Sequence, residues 1–208
     1  MADKEQYPDK IILALRKKQQ IKKLENTRME ELLKKKEMTG FSRKYFAGQK
    51  FSLFLPEELR EMPEGEQKVK YPNRNRPGII LTDRYGDATL TFTQLPFTEE
   101  QKDKGVNNRL KEFQREMKKR WKQQVFYETG VVKARQMDVA WMDYRGFCLD
   151  ESLYSLLFLF LWPGKLVLGN FHCHFVHYDR WKTIVLKLLE TIEITEGTAV
   201  KAAGMEEE

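Results

Sequence analysis

One segment of the chain, Leu153 to His177, is apolar at both odd and even positions along its first half. It reads LYSLLFLFLWPGKLVLGNFHCHFVH, and the PGK triplet divides it into the two strands of a predicted β-hairpin, Tyr154–Trp162 and Leu166–His177. Because successive side chains of a strand point to opposite faces of a sheet, both faces of this hairpin carry large apolar side chains. The pattern therefore raises the question of what covers each face.

A two-residue connection would place even positions of the first strand on the same face as odd positions of the second, whereas a three-residue connection would change that pairing. With two residues, one face holds the bulkier side chains and should meet the amphipathic helices of the chain. This bulky face comprises Tyr154, Leu156, Phe158, Phe160, Trp162, Val167, Phe171, Cys173 and Phe175. The opposite face, here called the leucine face, comprises Leu157, Leu159, Leu161, Leu166, Leu168, Asn170, His172, His174 and Val176.

The leucine face has an unusual mixture of side chains, because a row of threonines in another predicted strand, Thr89, Thr91 and Thr93, should extend it. Such a face is neither an ordinary core nor an ordinary wet surface. Two interpretations stay open. In the first, the loop from Glu57 to Pro77 or the N-terminal helix covers the leucine face, which then forms a second core. In the second, the face leaves an open apolar patch of several hundred Å² that binds a partner.

Further strands are predicted where short apolar or alternating runs are bounded by turn residues. A turn between Arg84 and Asp87, with Gly86 as its pivot, joins two of them, and the segment TIEI adds a short strand near the end. The other predicted strands are KFSLFLP, GIILTD, DATLTFTQL, QVFYE, VVKARQ and VAWMDYRGF.

Two amphipathic helices are predicted in the same region. The first runs from the capping-box sequence at Thr98 to about Gln124, although Gly105 makes a later start equally compatible with the sequence. Its expected buried stripe is Val106, Leu110, Phe113, Met117 and Trp121. The second starts at Asp179, and its expected buried side chains are Trp181, Ile184, Val185, Leu188 and Leu189.

The N-terminal part of the chain predicts a different kind of element. Residues from about 9 to 38 contain no Gly or Pro and are rich in Lys, Glu, Leu and Gln, which favours one long helix that begins at Asp9 and ends before Gly40. Its apolar positions follow no sustained heptad, so a strong coiled coil is not expected. A helix this polar stands partly away from the domain or is held by another chain.

These elements predict an α+β fold: an antiparallel β-sheet with two amphipathic helices packed on one face, preceded by a long N-terminal helix. The predicted organisation is a charged helix at 1–40, an α/β domain at 41–195 and a small, polar tail at 196–208 that is expected to be disordered.

Composition narrows the class of protein. The 208 residues are 41% hydrophobic and 33% charged, with a formal net charge of +6, which suits one charge-rich domain with an appendage. The two cysteines, Cys148 and Cys173, are too few for a disulfide scaffold. The N-terminus has no signal-peptide pattern, and the longest apolar run is far shorter than the about 20 residues of a membrane helix. We therefore expect a cytoplasmic protein without membrane insertion.

The order of elements resembles the PsbP/DcrB-like α/β sandwich family over about Phe41 to Ile194, and cytosolic Firmicute proteins of unassigned function look similar. The resemblance is carried by KFSLFLPEEL, RPGIILTDRYGDATLTFTQL, the amphipathic helix, VAWMDYRG, the hairpin and RWKTIVLKLLETIEI, together with KYPNRNRP at Lys70 to Pro77. It implies a binding protein without catalytic activity, because members of that fold are mostly of this kind. A remote branch, the Eag chaperones of type VI secretion, holds apolar helices of an effector on the concave sheet face, so the resemblance also implies an adaptor or chaperone role.

Candidate chemistry is sparse. His172 and His174 point the same way on a strand, but two ligands do not make a zinc site, so no metal is expected. Cys173 lies between Phe171 and Phe175, where burial makes a thiol unreactive, so it is not expected to be a nucleophile. The sequence contains no phosphate-binding glycine loop and no G-x-S-x-G motif. We therefore predict no catalytic residues and no cofactor.

The sequence thus predicts a non-enzymatic adaptor or chaperone for another protein, with a secreted effector as one client. The partner is expected to bind through the sheet face and the N-terminal helix, and self-association stays open. The predicted partner-binding residues are Leu157, Leu159, Leu161, Leu166, Leu168, His172, His174, Thr89, Thr91 and Thr93. Two alternatives compete with this prediction. One is a nucleic-acid-associated protein that uses the basic helix 106–124, which is not favoured because glutamates interrupt the positive charge of that helix. The other is an enzyme with a pocket on the sheet face.

Overall fold

The computed structural model describes residues 40–46, 50–73, 75–96, 105–135, 137–148, 151–162 and 165–195. The predicted N-terminal helix and the predicted tail lie outside these residues, so both stay predictions, as do the domain bounds that depend on them. In the described part of the chain, no helix is long and apolar enough to cross a membrane.

The described residues form ten strands and three α-helices, which confirms the predicted α+β class. The strands are β1 (Phe41–Phe46), β2 (Phe51–Pro56), β3 (Arg60–Glu61), β4 (Ile79–Thr82), β5 (Thr89–Leu95), β6 (Val125–Lys133), β7 (Asp138–Phe147), β8 (Ser152–Trp162), β9 (Lys165–His174) and β10 (Glu193–Ile194). The helices are α1 (Glu64–Lys70), α2 (Gly105–Arg120) and α3 (Tyr178–Glu190), and a 3-10 turn, Phe175–His177, precedes α3.

The strands form two antiparallel sheets. The larger has seven strands in the order β3-β4-β5-β9-β8-β7-β6, and the smaller has three in the order β1-β2-β10. The long apolar strand β8 therefore lies inside the larger sheet, between β9 and β7. Strands β1 and β3 and helix α1 were not predicted, because these elements are short or half exposed and lack a clear alternating pattern.

The register of the central hairpin is the predicted one. Trp162 pairs with Lys165, so two residues connect the strands. Leu159 consequently lies opposite Leu168 on the leucine face. The second strand is shorter than predicted, because the chain turns into the 3-10 helix after His174 and leads directly into α3.

The bulky face is covered by α3 and the three-stranded sheet. The ring of Phe171 lies 5.0 Å from that of Trp181 in α3, and the ring of Phe160 lies 5.5 Å from that of Phe51 in β2, centroid to centroid. Such contacts between aromatic side chains add to the free energy gained by removing their surface from water. This layer is the aromatic half of the core.

The other helix, α2, packs on the leucine face, so the prediction that both amphipathic helices share one face is wrong. Buried α2 side chains belong to the same core cluster as Leu157, Leu159 and Leu166. The bulky face has no room for α2 because α3 and the three-stranded sheet already cover it. Alternation alone identifies an apolar helix stripe, but it does not say which of two apolar sheet faces the stripe meets.

The stripe of α2 is also narrower than predicted. Val106, Leu110 and Met117 are buried, as expected. Phe113, in the middle of the helix, is 36% exposed, and Trp121, directly after its last residue, is 43% exposed. Truncation of Trp121 should therefore cost less stability than removal of a buried aromatic side chain.

A cross-strand pair between Phe158 and Gly169 shows how tightly the bulky face is packed. The Phe158 ring lies over Gly169, and a Cβ atom built on this glycine would lie 2.0 Å from ring atom Cζ. Only glycine leaves room for the ring at this position, since ordinary side-chain contacts lie near 4 Å.

We predict that Gly169→Ala lowers the free energy of unfolding by about 1–3 kcal/mol, the usual cost of forcing an extra carbon into a packed core. Urea unfolding measures the change. Gly146→Ala is the matched control, because no heavy atom lies within 4 Å of a Cβ built on this strand glycine. Equal stability of the two variants would contradict the close packing of Phe158 on Gly169.

Candidate functional site

The leucine part of the predicted partner site is enclosed. Leu157, Leu159 and Leu166 are only 5%, 1% and 1% exposed, and α2 covers them. Leu161 and Leu168 are half-buried at the border of the same cluster. The interpretation as a second, covered core is therefore the one that the described residues support, and α2 is the element that covers it. An open leucine groove is absent from the described residues.

We predict that Leu159→Asp lowers the free energy of unfolding by at least about 3 kcal/mol, because the carboxylate would be buried without a partner under α2. Thermal melting of the variant measures this loss. Val69→Asp is the control, because Val69 is 83% exposed and the same substitution there should change stability by less than about 0.5 kcal/mol. A Leu159→Asp protein that melts like the control would contradict the enclosed leucine face.

The threonine part of the predicted site is also largely buried, and a lysine of α1 contacts it. Thr89 and Thr91 are buried, and Thr93 is half-buried. At the end of α1, Lys70 Nζ donates hydrogen bonds to Thr89 Oγ1 at 3.0 Å and to the carbonyl of Gly86 at 2.9 Å. The structure thus places the threonines on the leucine face, as predicted, with Thr89 opposite His172, Thr91 opposite Asn170 and Thr93 opposite Leu168, and it adds a lysine that the sequence did not single out.

The two histidines of β9 have different surroundings. Burial, together with the nearby Lys70 ammonium, lowers the pKa of His172 to about 4, so its imidazole is neutral at physiological pH. His174 lies at the sheet end, with Nε2 3.2 Å from Asp87 Oδ1 and Nδ1 2.5 Å from Glu151 Oε2. Among the described residues, no group of three or more His, Cys, Asp or Glu side chains is placed to hold a metal ion.

His172 should make the fold sensitive to acid. Its pKa is lower in the folded chain than in the unfolded one, so its neutral form contributes stability that is complete above pH 6.5 and is lost as pH falls towards 4. The loss amounts to about 3 kcal/mol at most, since one pKa unit corresponds to about 1.4 kcal/mol. We predict that His172→Gln flattens the stability profile in this window, as measured by urea unfolding at several pH values. An unchanged profile would contradict a buried, neutral His172.

Cys173 is fully buried on the bulky face, and Cys148 is exposed. Burial, with smaller contributions from Asp83 and Asp87, raises the pKa of the Cys173 thiol to about 12. Since the thiolate is the reactive form, this thiol is a poor nucleophile.

A buried charge network near the junction of β7 and α3 was not predicted. Lys182 Nζ donates to Asp143 Oδ2 at 2.5 Å, and the Tyr154 hydroxyl donates to the same oxygen at 3.2 Å. The backbone N–H of Glu128 donates to Asp143 Oδ1 at 2.7 Å. Burial raises the pKa of the Asp143 carboxyl, and the adjacent Lys182 ammonium opposes that rise. The network ties β6, β7, β8 and α3 together at one point.

Two signals in the sequence could have revealed this network. Asp143 lies two residues after Trp141 and four after Val139, so it occupies the next inward-facing position of the strand and places a carboxylate there. Lys182 stands four residues after Tyr178 and three before Val185, in phase with the buried stripe of α3. An acid and a base that both interrupt inward-facing patterns are expected to pair, because a lone buried charge is costly.

Aromatic side chains and one arginine continue from this network to the surface. Tyr178 contacts the Tyr154 ring at 4.8 Å and stacks on Phe175 at 5.7 Å. The guanidinium carbon of Arg145 then lies 4.1 Å from the Phe175 ring centroid and 5.0 Å from that of Phe147. These distances fit cation–π contacts of the arginine with both rings.

The outer end of this series is a partly exposed surface, here called the aromatic–arginine patch, in which Phe147 and Val176 are exposed and Tyr127, Arg145 and Phe175 are half-buried. Phe147 is 47% exposed and Val176 is 84% exposed. Tyr127 contacts Phe175, with ring centroids 6.4 Å apart. Of these residues, only Phe175 and Val176 were assigned to faces from the sequence, and the 3-10 turn removes both from the strand in which they were predicted.

Comparison with solved structures shows which fold the described residues have. The cyanobacterial PsbP (CyanoP) of Synechocystis matches with a TM-score of 0.55 at 12% identity, over 76% of this chain and 94% of that one. The Ran-binding protein Mog1p of Saccharomyces cerevisiae matches with a TM-score of 0.50 at 7% identity, over 74% and 95% of the two chains. A point variant of Mog1 matches with a TM-score of 0.52 at 6% identity, over 76% of this chain and 97% of that one.

These identities are low enough that the similarity concerns the fold alone. The chain has a PsbP-like α/β sandwich fold, which confirms the coarser part of the resemblance found in the sequence. No protein-family model matches the chain, and no curated protein sequence matches it.

Proposed function

We propose that this protein is a non-enzymatic binding module, an adaptor or chaperone that engages another protein through the aromatic–arginine patch. A secreted effector is the client class that the resemblance to Eag chaperones suggests. The observation that carries the proposal is the partly exposed cluster in which Arg145 contacts the rings of both Phe147 and Phe175. Aromatic residues and arginine are enriched at the centres of protein–protein interfaces, where a few of them supply most of the binding free energy.

The patch is held rigid from behind, which favours binding. Phe175 stacks on Tyr178, and Tyr178 contacts the buried Tyr154. Tyr154 in turn donates to Asp143, which Lys182 fixes to α3. Side chains that are already ordered in the free protein lose little conformational entropy on binding, so more of the contact energy appears as affinity.

Two further observations support a role in binding. Mog1p, which has a similar fold, is a Ran-binding protein, so this architecture supports protein recognition in at least one other chain. The buried Cys173 thiol, with its pKa raised to about 12, is poorly suited to nucleophilic catalysis.

The test begins with a photo-crosslinking amino acid at position 147, compared with the same group at position 85. Tyr85 is 76% exposed and lies in the β4–β5 turn, outside the patch. We expect cross-linking in cells of the source organism to yield one protein species from position 147 and none of that species from position 85. The species is then purified and its affinity measured by calorimetry.

With the purified partner, Phe147→Ala should weaken binding about tenfold or more, the loss typical of a residue at the centre of an interface. Tyr85→Ala should leave the affinity unchanged, and both variants should fold normally because the two side chains are exposed. Unchanged affinity of Phe147→Ala, or identical cross-links from the two positions, would rule out the patch as the binding surface.

A further inference from the structure

The exposed side of α2 divides into two flanks with different charge. On one flank the glutamates are paired within the helix: Arg109 lies 2.8 Å from Glu112, and Lys119 lies 2.9 Å from Glu116. The other flank carries Lys111, Arg115 and Lys118, all exposed. Across the residues that the structure describes, none of these three cations lies within 4.0 Å of a carboxylate oxygen.

The three cations form a single row. They stand four and three residues apart, so helix geometry places them on one side of α2 at rises of about 6 and 4.5 Å. Lys118 Nζ lies 5.3 Å from the centroid of the Phe126 ring, which orients it beside the sheet. Trp121 follows Lys118 by three residues, directly after α2 ends at Arg120, and its backbone N–H donates to the carbonyl of Met117.

From this arrangement we infer that the row Lys111, Arg115 and Lys118 is a second docking surface, and that its partner is an acidic amphipathic helix of another protein. Carboxylates at the same i, i+4, i+7 spacing would each face one cation. An apolar side chain one turn further along would meet Trp121, which is 43% exposed. This surface is separate from the aromatic–arginine patch, and its test does not depend on that patch.

The width of the row favours a helix over a nucleic acid. A duplex presents phosphates on two strands and needs a broad positive surface. Here the row is narrow, because the cations Arg109 and Lys119 of the adjacent flank are already paired with Glu112 and Glu116 and so offer little positive charge to a second line of phosphates. A helix with one acidic stripe meets the cations without approaching these glutamates.

The probe is a fluorescein-labelled helical peptide with three glutamates at the matched spacing and a leucine one turn further. A scrambled peptide of the same composition and a labelled single-stranded DNA oligonucleotide complete the set. Anisotropy titrations use the full chain at low salt. We expect the matched peptide to bind about tenfold more tightly than the scrambled one, since three weak surface ion pairs and one apolar contact add to that order.

Two double variants that lower the net charge by the same amount distinguish an effect of the row from an effect of net charge alone. Lys111→Ala/Arg115→Ala should remove the preference for the matched peptide, whereas Lys44→Ala/Arg60→Ala, which removes an exposed lysine and arginine elsewhere, should retain it. Equal binding of the two peptides to the wild-type chain would overturn the proposal, and so would equal losses in both variants. Tighter binding of the oligonucleotide than of the matched peptide, lost with the row, would identify a nucleic-acid surface instead.

Discussion

Strand β8 is apolar on both faces and lies inside the seven-stranded sheet, so the domain has to supply an apolar layer on each side of it. One layer is aromatic and consists of α3 with the three-stranded sheet, which contacts Phe160 and Phe171. The other is aliphatic and consists of α2, which covers Leu157 and Leu159. Without either layer, several large side chains would be exposed to water, at a free-energy cost of about 25 cal/mol for each Å² of apolar surface.

This constraint decides which surfaces remain for recognition. Because α2 encloses the leucine face, that face is available to a partner only if the helix leaves it. Two surfaces of the described residues that stay open are the end of the sheet, where Arg145 contacts Phe147 and Phe175, and the outer side of α2. The buried pair of Asp143 and Lys182 links the first of these surfaces to the core, because it anchors the start of α3 directly behind the aromatic stack. Core packing and the proposed recognition surface are thus parts of one structure.

Much of the fold follows from local patterns. The hairpin register, the β4–β5 turn and the buried face of α3 were all predictable, because alternation, glycine position and helical spacing are properties of short segments. The face that α2 occupies was not, since either apolar face of the sheet would bury Leu110 and Met117 equally well. That choice depends on which face the distant strand β2 already covers, and such long-range competition leaves no mark within α2.

The candidate site was less predictable than the fold for a related reason. The leucines were predicted as a site because they share a sheet face with threonines, an asparagine and histidines, yet a helix elsewhere in the chain encloses most of them. Arg145 and Phe147 look ordinary in the sequence, because one charged residue and one aromatic residue near a strand end are common. Their significance arises only when the 3-10 turn brings Phe175 against Arg145, a contact between residues far apart in the chain.

The central claim, that α2 closes the leucine face, is tested most directly by the reactivity of a thiol placed there. The chain supplies its own references, since Cys148 is exposed and Cys173 is buried. In a Leu159→Cys variant that retains its fold, labelling with a maleimide and mapping by mass spectrometry should show Cys148 modified quickly. The thiol at position 159 should react as slowly as Cys173. If position 159 instead reacts as quickly as Cys148, the leucine face is open and the two-layer account is contradicted.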